Sequence, residues 1–151
     1  MDTKESISVL NNLIETCKDG EAGFTECAQD VESAGLKTVL IKCAHDCSAA
    51  ATELQRLVHS MGGEAENDTS LGGDMHRRWV GLKDFVTGKD DKSILNECER
   101  GEDVAKKSYK EALEKHLPPN VRAVVEKQHQ GVLQNHDKIK ALRDAARKQA
   151  A

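Results

Sequence analysis

Two short stretches of the chain carry residue types from which chemistry could be built. Cys17-Lys-Asp-Gly-Glu21 recurs as Cys98-Glu-Arg-Gly-Glu102, each copy inside a long run of apolar residues spaced three and four apart. At about 100° per residue, Glu21 falls between Ile14 and Cys17 on its helix surface, and Leu95 and Cys98 place Glu102 the same way. A carboxylate on an apolar stripe is costly unless it is protonated, paired with a cation or bound to a metal. Two of them at matching positions point to a metal site between helices, because Glu, Asp and His are the side chains that bind iron, manganese or zinc. The competing expectation is a non-catalytic structural or interaction bundle without metal, in which both glutamates pair with lysine or arginine.

Other polar residues join the candidates by their nearness to an apolar stripe. His136 projects close to Val132 and Ile139, with His129 on the same flank. Asp46 and Glu53 share one edge of the second helix's stripe, and Glu99 flanks the third, whereas Glu126 points mostly outward. Folding the first helix pair about its turn brings Glu21 level with Cys47, so Asp46 is in reach; folding the second brings Glu102 level with Gln134, so His136 is close. The expected ligands are therefore Glu21 and Glu102, then His136, then Glu53, Glu99, His129 and Asp46.

Positioning these side chains requires long helices. The first is expected over 3–33, with Thr3 as its N-cap and Ser33-Ala-Gly35 ending it at a left-handed glycine. Ile7, Leu10, Ile14, Cys17, Glu21, Phe24, Ala28 and Val31 form its seam. The second runs over 36–61 on Leu36, Leu40, Cys43, Cys47, Ala50, Leu54, Leu57 and Met61, and Gly62-Gly63 stops it. The third, 92–116, opens behind Asp90-Asp91, acids suited to a helix N-terminus. Leu117-Pro118-Pro119-Asn120 separates it from the fourth, 119–148. Between the hairpins a crossover over 62–91 carries a short amphipathic helix on Met75, Trp79, Leu82 and Val86. The expected fold is all-α: a four-helix bundle of two antiparallel hairpins joined by a long crossover, one domain over 1–151.

Composition narrows the function classes. A formal net charge of −4 with lysines and arginines spread along the chain argues against nucleic acid as a partner. No run approaches the roughly 18 apolar residues of a membrane span, and the start Met-Asp-Thr-Lys-Glu-Ser lacks the apolar stretch of a signal peptide. The five cysteines are an odd number without a Cys-x-x-Cys and fall mostly on apolar stripes. They read as small buried hydrophobes in a reducing compartment, the cytoplasm. A thiol-based redox role would instead need a cysteine of low pKa.

Several motifs together resemble a bacterial family of uncharacterised four-helix-bundle domains within the ferritin-like superfamily. They are Leu13-Ile14-Glu15 with Asp19-Gly20-Glu21-x-x-Phe24, Glu53-Leu54-Gln55 ahead of Met61-Gly62-Gly63, and His76-Arg77-x-Trp79 with Leu82-Lys83. Later come Cys98-Glu99-x-Gly101-Glu102-Asp103 with Tyr109, and His136-Asp137 with Ala141-Leu142-Arg143. At superfamily level the resemblance implies one Glu on each of two helices and a Glu-x-x-His on each of the others. Glu21 and Glu102 match the first kind and Glu126-x-x-His129 the second, while the second helix offers only Asp46 and Glu53. The function so implied is binding of iron, with manganese or zinc as alternatives, for storage, sequestration or stress protection, in a chain that can form a homo-oligomer.

Overall fold

The structure, a computed structural model, describes residues 2–66 and 90–150. Four helices account for most of them: α1 (Thr3–Asp30), α2 (Ala34–Ser60), α3 (Asp91–Leu113) and α4 (Pro119–Ala150). No strand occurs among the described residues. The short helix expected on Met75, Trp79, Leu82 and Val86, with the His76-Arg77-Arg78 turn, lies outside them.

Local chemistry sets the helix ends. Asp2, not Thr3, caps α1, its carboxylate accepting the Glu5 N–H at 2.7 Å. α1 stops at Asp30, where Val31 turns extended. Ser33, expected to close the first helix, opens the second: its hydroxyl oxygen accepts the Leu36 N–H at 3.3 Å. Gly35 therefore lies inside α2 and does not adopt the left-handed backbone expected of it. Serine is among the best N-cap residues, so the turn needs no glycine cap. The far end of α2 behaves as expected. Gly62 has φ of 81°, and the Gly62 and Gly63 amides return to the His59 and Val58 carbonyls, each at 3.0 Å. That double return is how a left-handed glycine closes a helix.

Asp90 caps α3 by accepting the Ser93 N–H at 2.8 Å. At the other end Arg122 of α4 donates to the carbonyls of Leu113 (3.0 Å) and Lys115 (2.7 Å), groups that a helix terminus leaves open.

α1 packs along α2 and α3 along α4 as two hairpins, with α1 against α3, while α2 and α4 meet only over a short stretch. Asp91 adds a tie between the hairpins: its carboxylate accepts the N–H groups of Glu32 (2.8 Å) and Ser33 (3.1 Å) in the α1–α2 turn. The apolar core has two parts. One gathers near that turn around Phe24, Val31, Leu40, Leu95, Cys98 and Ile139. The other lies towards the opposite end, around Leu10, Leu54, Val58, Tyr109, Val121 and Val125. At the level between them the walls are Gly20, Ala50, Gly101 and Gly131, and they leave a cavity of about 580 Å³.

Candidate metal centre

The face shared by α3 and α4 gathers the residues best suited to a cation. Glu99 and Asp103 are one helical turn apart on α3, and α4 brings His136 against them. One ligand atom from each of the three lies within 4.8 Å of the other two. His136 is 7% exposed, and its Nε2 sits 2.7 Å from Asp103 Oδ1. The approach is poorly angled, and neither ring nitrogen has a hydrogen-bond partner of good geometry. Two turns further along α4, Arg143 forms an ion pair with Glu99, both side chains largely buried. The guanidinium thus already neutralises one carboxylate of the group.

Glu102 faces the cavity instead. It is 3% exposed, and its Oε2 meets no donor. Burial pushes its carboxyl up to about 8, helped by the charges of Asp103 and Asp46. The inward placement expected from the apolar stripe holds for this residue.

It does not hold for Glu21. That side chain is 36% exposed and lies 3.8 Å from Lys18. Gly20 takes the inner position at this turn, so close to α2 that a Cβ there would stand 2.9 Å from Cys47 Sγ. At this turn the buried positions are Asp19 and Gly20, flanked by Cys17 and Phe24 of the expected seam, and Glu21 is left at the edge. Asp19, which the periodicity did not single out, is 1% exposed.

The remaining candidates have other partners. Glu53 accepts from Gln128 Nε2 at 2.8 Å. Asp46 is exposed, 3.1 Å from Lys42 and 3.4 Å from Asn135 Nδ2. His129 stacks on Tyr109 with ring centroids 6.4 Å apart, and Glu126 pairs with Arg122 at 3.5 Å. The Glu-x-x-His spelling of α4 therefore does not turn a ligand pair inward.

A polar chain crosses the bundle at the cavity. Cys17 Sγ is 3.1 Å from Tyr109 Oη, which donates to Gln128 Oε1 at 2.8 Å. Gln128 Nε2 donates to Glu53 and, at 3.2 Å, to the Ala50 carbonyl. The chain visits α1, α3, α4 and α2 in turn, and it spans the gap where α2 and α4 scarcely touch. All five cysteines are free thiols. Burial pushes Cys17 up to about 11 and Cys43 up to about 12, and raises Cys47 and Cys98 too. Thiols held protonated in this way are weak nucleophiles and pack as small apolar groups.

Of the expected ligands, then, the structure joins Glu99 to His136 and places Glu102, Glu53 and Asp46 around the neighbouring cavity. Asp103 was missed, although its one-turn spacing from Glu99 was a signal. Arg143 and Gln128 gave no comparable sign.

Residues 5–115 match the family described as a domain of unknown function (DUF2383). The chain belongs to this family. Among solved structures, a dodecameric thioferritin, the bacterioferritin-related protein of Bacteroides fragilis, matches with a TM-score of 0.79 at 18% identity. The match covers 99% of this chain and 91% of that one. A ferritin-like, diiron-carboxylate protein of Bacillus anthracis str. Ames matches with a TM-score of 0.70 at 16% identity, over 95% of this chain and 99% of that one. No curated protein matches the sequence. At these identities the likeness is one of fold: the DUF2383 chain is an all-α, ferritin-like four-helix bundle, as the resemblance of its motifs implies. Among the described residues no helix is long and apolar enough to cross a membrane.

Proposed function

We propose that this DUF2383 chain is a metal-binding bundle, and that iron is the metal, held in a storage, sequestration or stress-protection role. The observation that carries the reading is the meeting of Glu99, Asp103 and His136, with ligand atoms within 4.8 Å of one another. The two carboxylates and the imidazole, whose nitrogens lack hydrogen-bond partners, form a donor set suited to iron. The set fits one ion rather than two, because Glu21, Glu126 and His129 are turned to other partners. Bound iron would supply one-electron redox chemistry. The chain's own part is to present the carboxylate oxygens and an imidazole nitrogen. The Bacteroides relative is described as a dodecamer, and we extend self-association into a homo-oligomer to this chain. Sedimentation of the purified protein checks it.

Metal analysis of protein purified without chelator tests the main reading. About one iron per chain is expected, with a rise in melting temperature on adding Fe(II). Asp103→Asn combined with His136→Ala should abolish both. Less than ~0.1 metal per chain with no thermal shift overturns the proposal.

The Glu99–Arg143 pair favours a second reading, a structural or interaction bundle in which the guanidinium supplies all the positive charge this face requires. Arg143→Gln separates the two. It tightens Fe(II) binding if the face is a metal site, by freeing a carboxylate, and only costs stability if it is not.

A further inference from the structure

The cavity between the two apolar clusters plays no part in the iron reading. Its volume of about 580 Å³ is far more than a bare ion fills, and it lies within the roughly 300–1,000 Å³ typical of small-molecule sites. Small residues make it. Ala49 and Ala50 of α2, Gly101 and Ala105 of α3, and Gly131 of α4 all line it. A Cβ added at Gly131 would meet no atom within 4 Å, so that wall stands clear of its neighbours.

Most polar groups at the lining already have partners. Tyr109, Gln128 and Glu53 are joined to one another, and Asp46 pairs with Lys42. Glu102 is the exception: 3% exposed, at the cavity wall, with an Oε2 that no donor meets. A buried acceptor without a donor is an unpaid desolvation cost that a ligand donor would relieve. Asp46 and Glu53 line the same space and make it unfavourable for an anion, while Arg56 and Lys127 at the lining are exposed. A small metal ion is poorly served as well, because among the described residues the group of ligand atoms close enough to hold one is Glu99, Asp103 and His136, none of which lines the cavity.

We propose that this cavity binds a compact organic ammonium ion, with its N–H groups on Glu102 Oε2 and its apolar body against Phe24, Ala105 and Val132. The ammonium supplies the missing donor and a charge opposite to the Asp46 and Glu53 carboxylates of the lining. The apolar body fills the space that the glycines and alanines leave.

Isothermal titration of the full chain with n-butyl-, n-pentyl- and n-hexylammonium tests this, with hexanol and hexanoate as uncharged and anionic controls. Affinity should rise roughly fourfold per added methylene. Hexanol and hexanoate should bind at least ~10-fold more weakly than hexylammonium, since each lacks the charge-assisted hydrogen bond. Glu102→Gln should weaken hexylammonium by roughly 10-fold or more. Gly131→Leu should abolish binding by filling the space, and it replaces glycine with a better helix former. His136→Ala, which removes an iron ligand, should leave hexylammonium binding unchanged, so the two proposals fail separately. No saturable binding, equal affinity for hexanol, or binding that survives both Glu102→Gln and Gly131→Leu overturns the assignment. Loss of binding in His136→Ala also overturns it. If Glu102→Gln does not fold, Gly131→Leu and the two controls decide.

Discussion

Glu102→Gln should make the protein more stable at neutral pH, and by an amount that depends on pH. The carboxyl is buried at 3% exposure with one oxygen unpartnered, and its pKa is pushed up from 4.5 to about 8. Between those two values the folded chain keeps a proton that the unfolded chain has released. Unfolding stability therefore falls as pH rises from 4.5 and levels off above about 8. At 1.36 kcal/mol per pH unit, the loss is about 3 kcal/mol at pH 7 and about 5 kcal/mol at the plateau. Glutamine keeps the size and one acceptor but cannot ionise, so it does not suffer this loss. Urea unfolding of parent and variant, followed by circular dichroism at several pH values from 4.5 to 9, isolates the effect as a difference curve. That curve should climb from the acid end through neutral pH and flatten near pH 9, whatever constant offset the amide brings. A difference curve without slope would refute the reasoning, because it would mean that the Glu102 anion is compensated in the fold.

Other perturbations have smaller, local consequences. Asp91→Ala removes the acceptor for the Glu32 and Ser33 amides; a loss of about 1 kcal/mol is expected, with faster hydrogen exchange at those two amides. Gly62→Ala meets no atom but forces a side chain onto a backbone with φ of 81°, which should cost about 1–2 kcal/mol in chemical denaturation. Tyr109→Phe leaves Gln128 Oε1 without its donor and Cys17 without its oxygen partner. About 1–3 kcal/mol should be lost, with a shifted Gln128 side-chain amide signal in NMR spectra. Ellman's reagent should label the five cysteines slowly in the folded chain and rapidly in urea, since burial holds the thiols that were raised in their protonated form.

The helices and their pairing were legible because an amphipathic stripe and a glycine or proline stop are local properties. Gly62 shows this: a left-handed cap needs only its own few residues. Ser33 and Gly35 show the limit, since both are credible at a helix boundary and the choice between ending one helix and beginning the next depends on how Asp91 arrives from α3. Glu102 lay on a stripe that kept its register, and it is buried. Glu21 lay on one that is otherwise buried, and there the close contact of Gly20 with Cys47 brings the preceding position inward instead. That contact belongs to α2 and leaves no mark on the spacing of α1. Arg143 was likewise hidden, because its partner Glu99 is set by the register of α3 against α4. A glutamine that links helices, such as Gln128, looks in sequence like any other polar flank.

The polar chain from Cys17 through Tyr109 and Gln128 to Glu53 crosses the one helix boundary where apolar packing is thin. Hydrophobic contact weakens on cooling, whereas a hydrogen bond is directional and draws little on the ordering of water. The α2–α4 boundary should therefore respond to temperature differently from the rest of the bundle, holding its register in the cold while the aliphatic layers at either end loosen. When it does part, water can take over the bonds of Gln128 and Glu53 one for one, so the interior of this bundle can breathe at that boundary without the helices themselves melting.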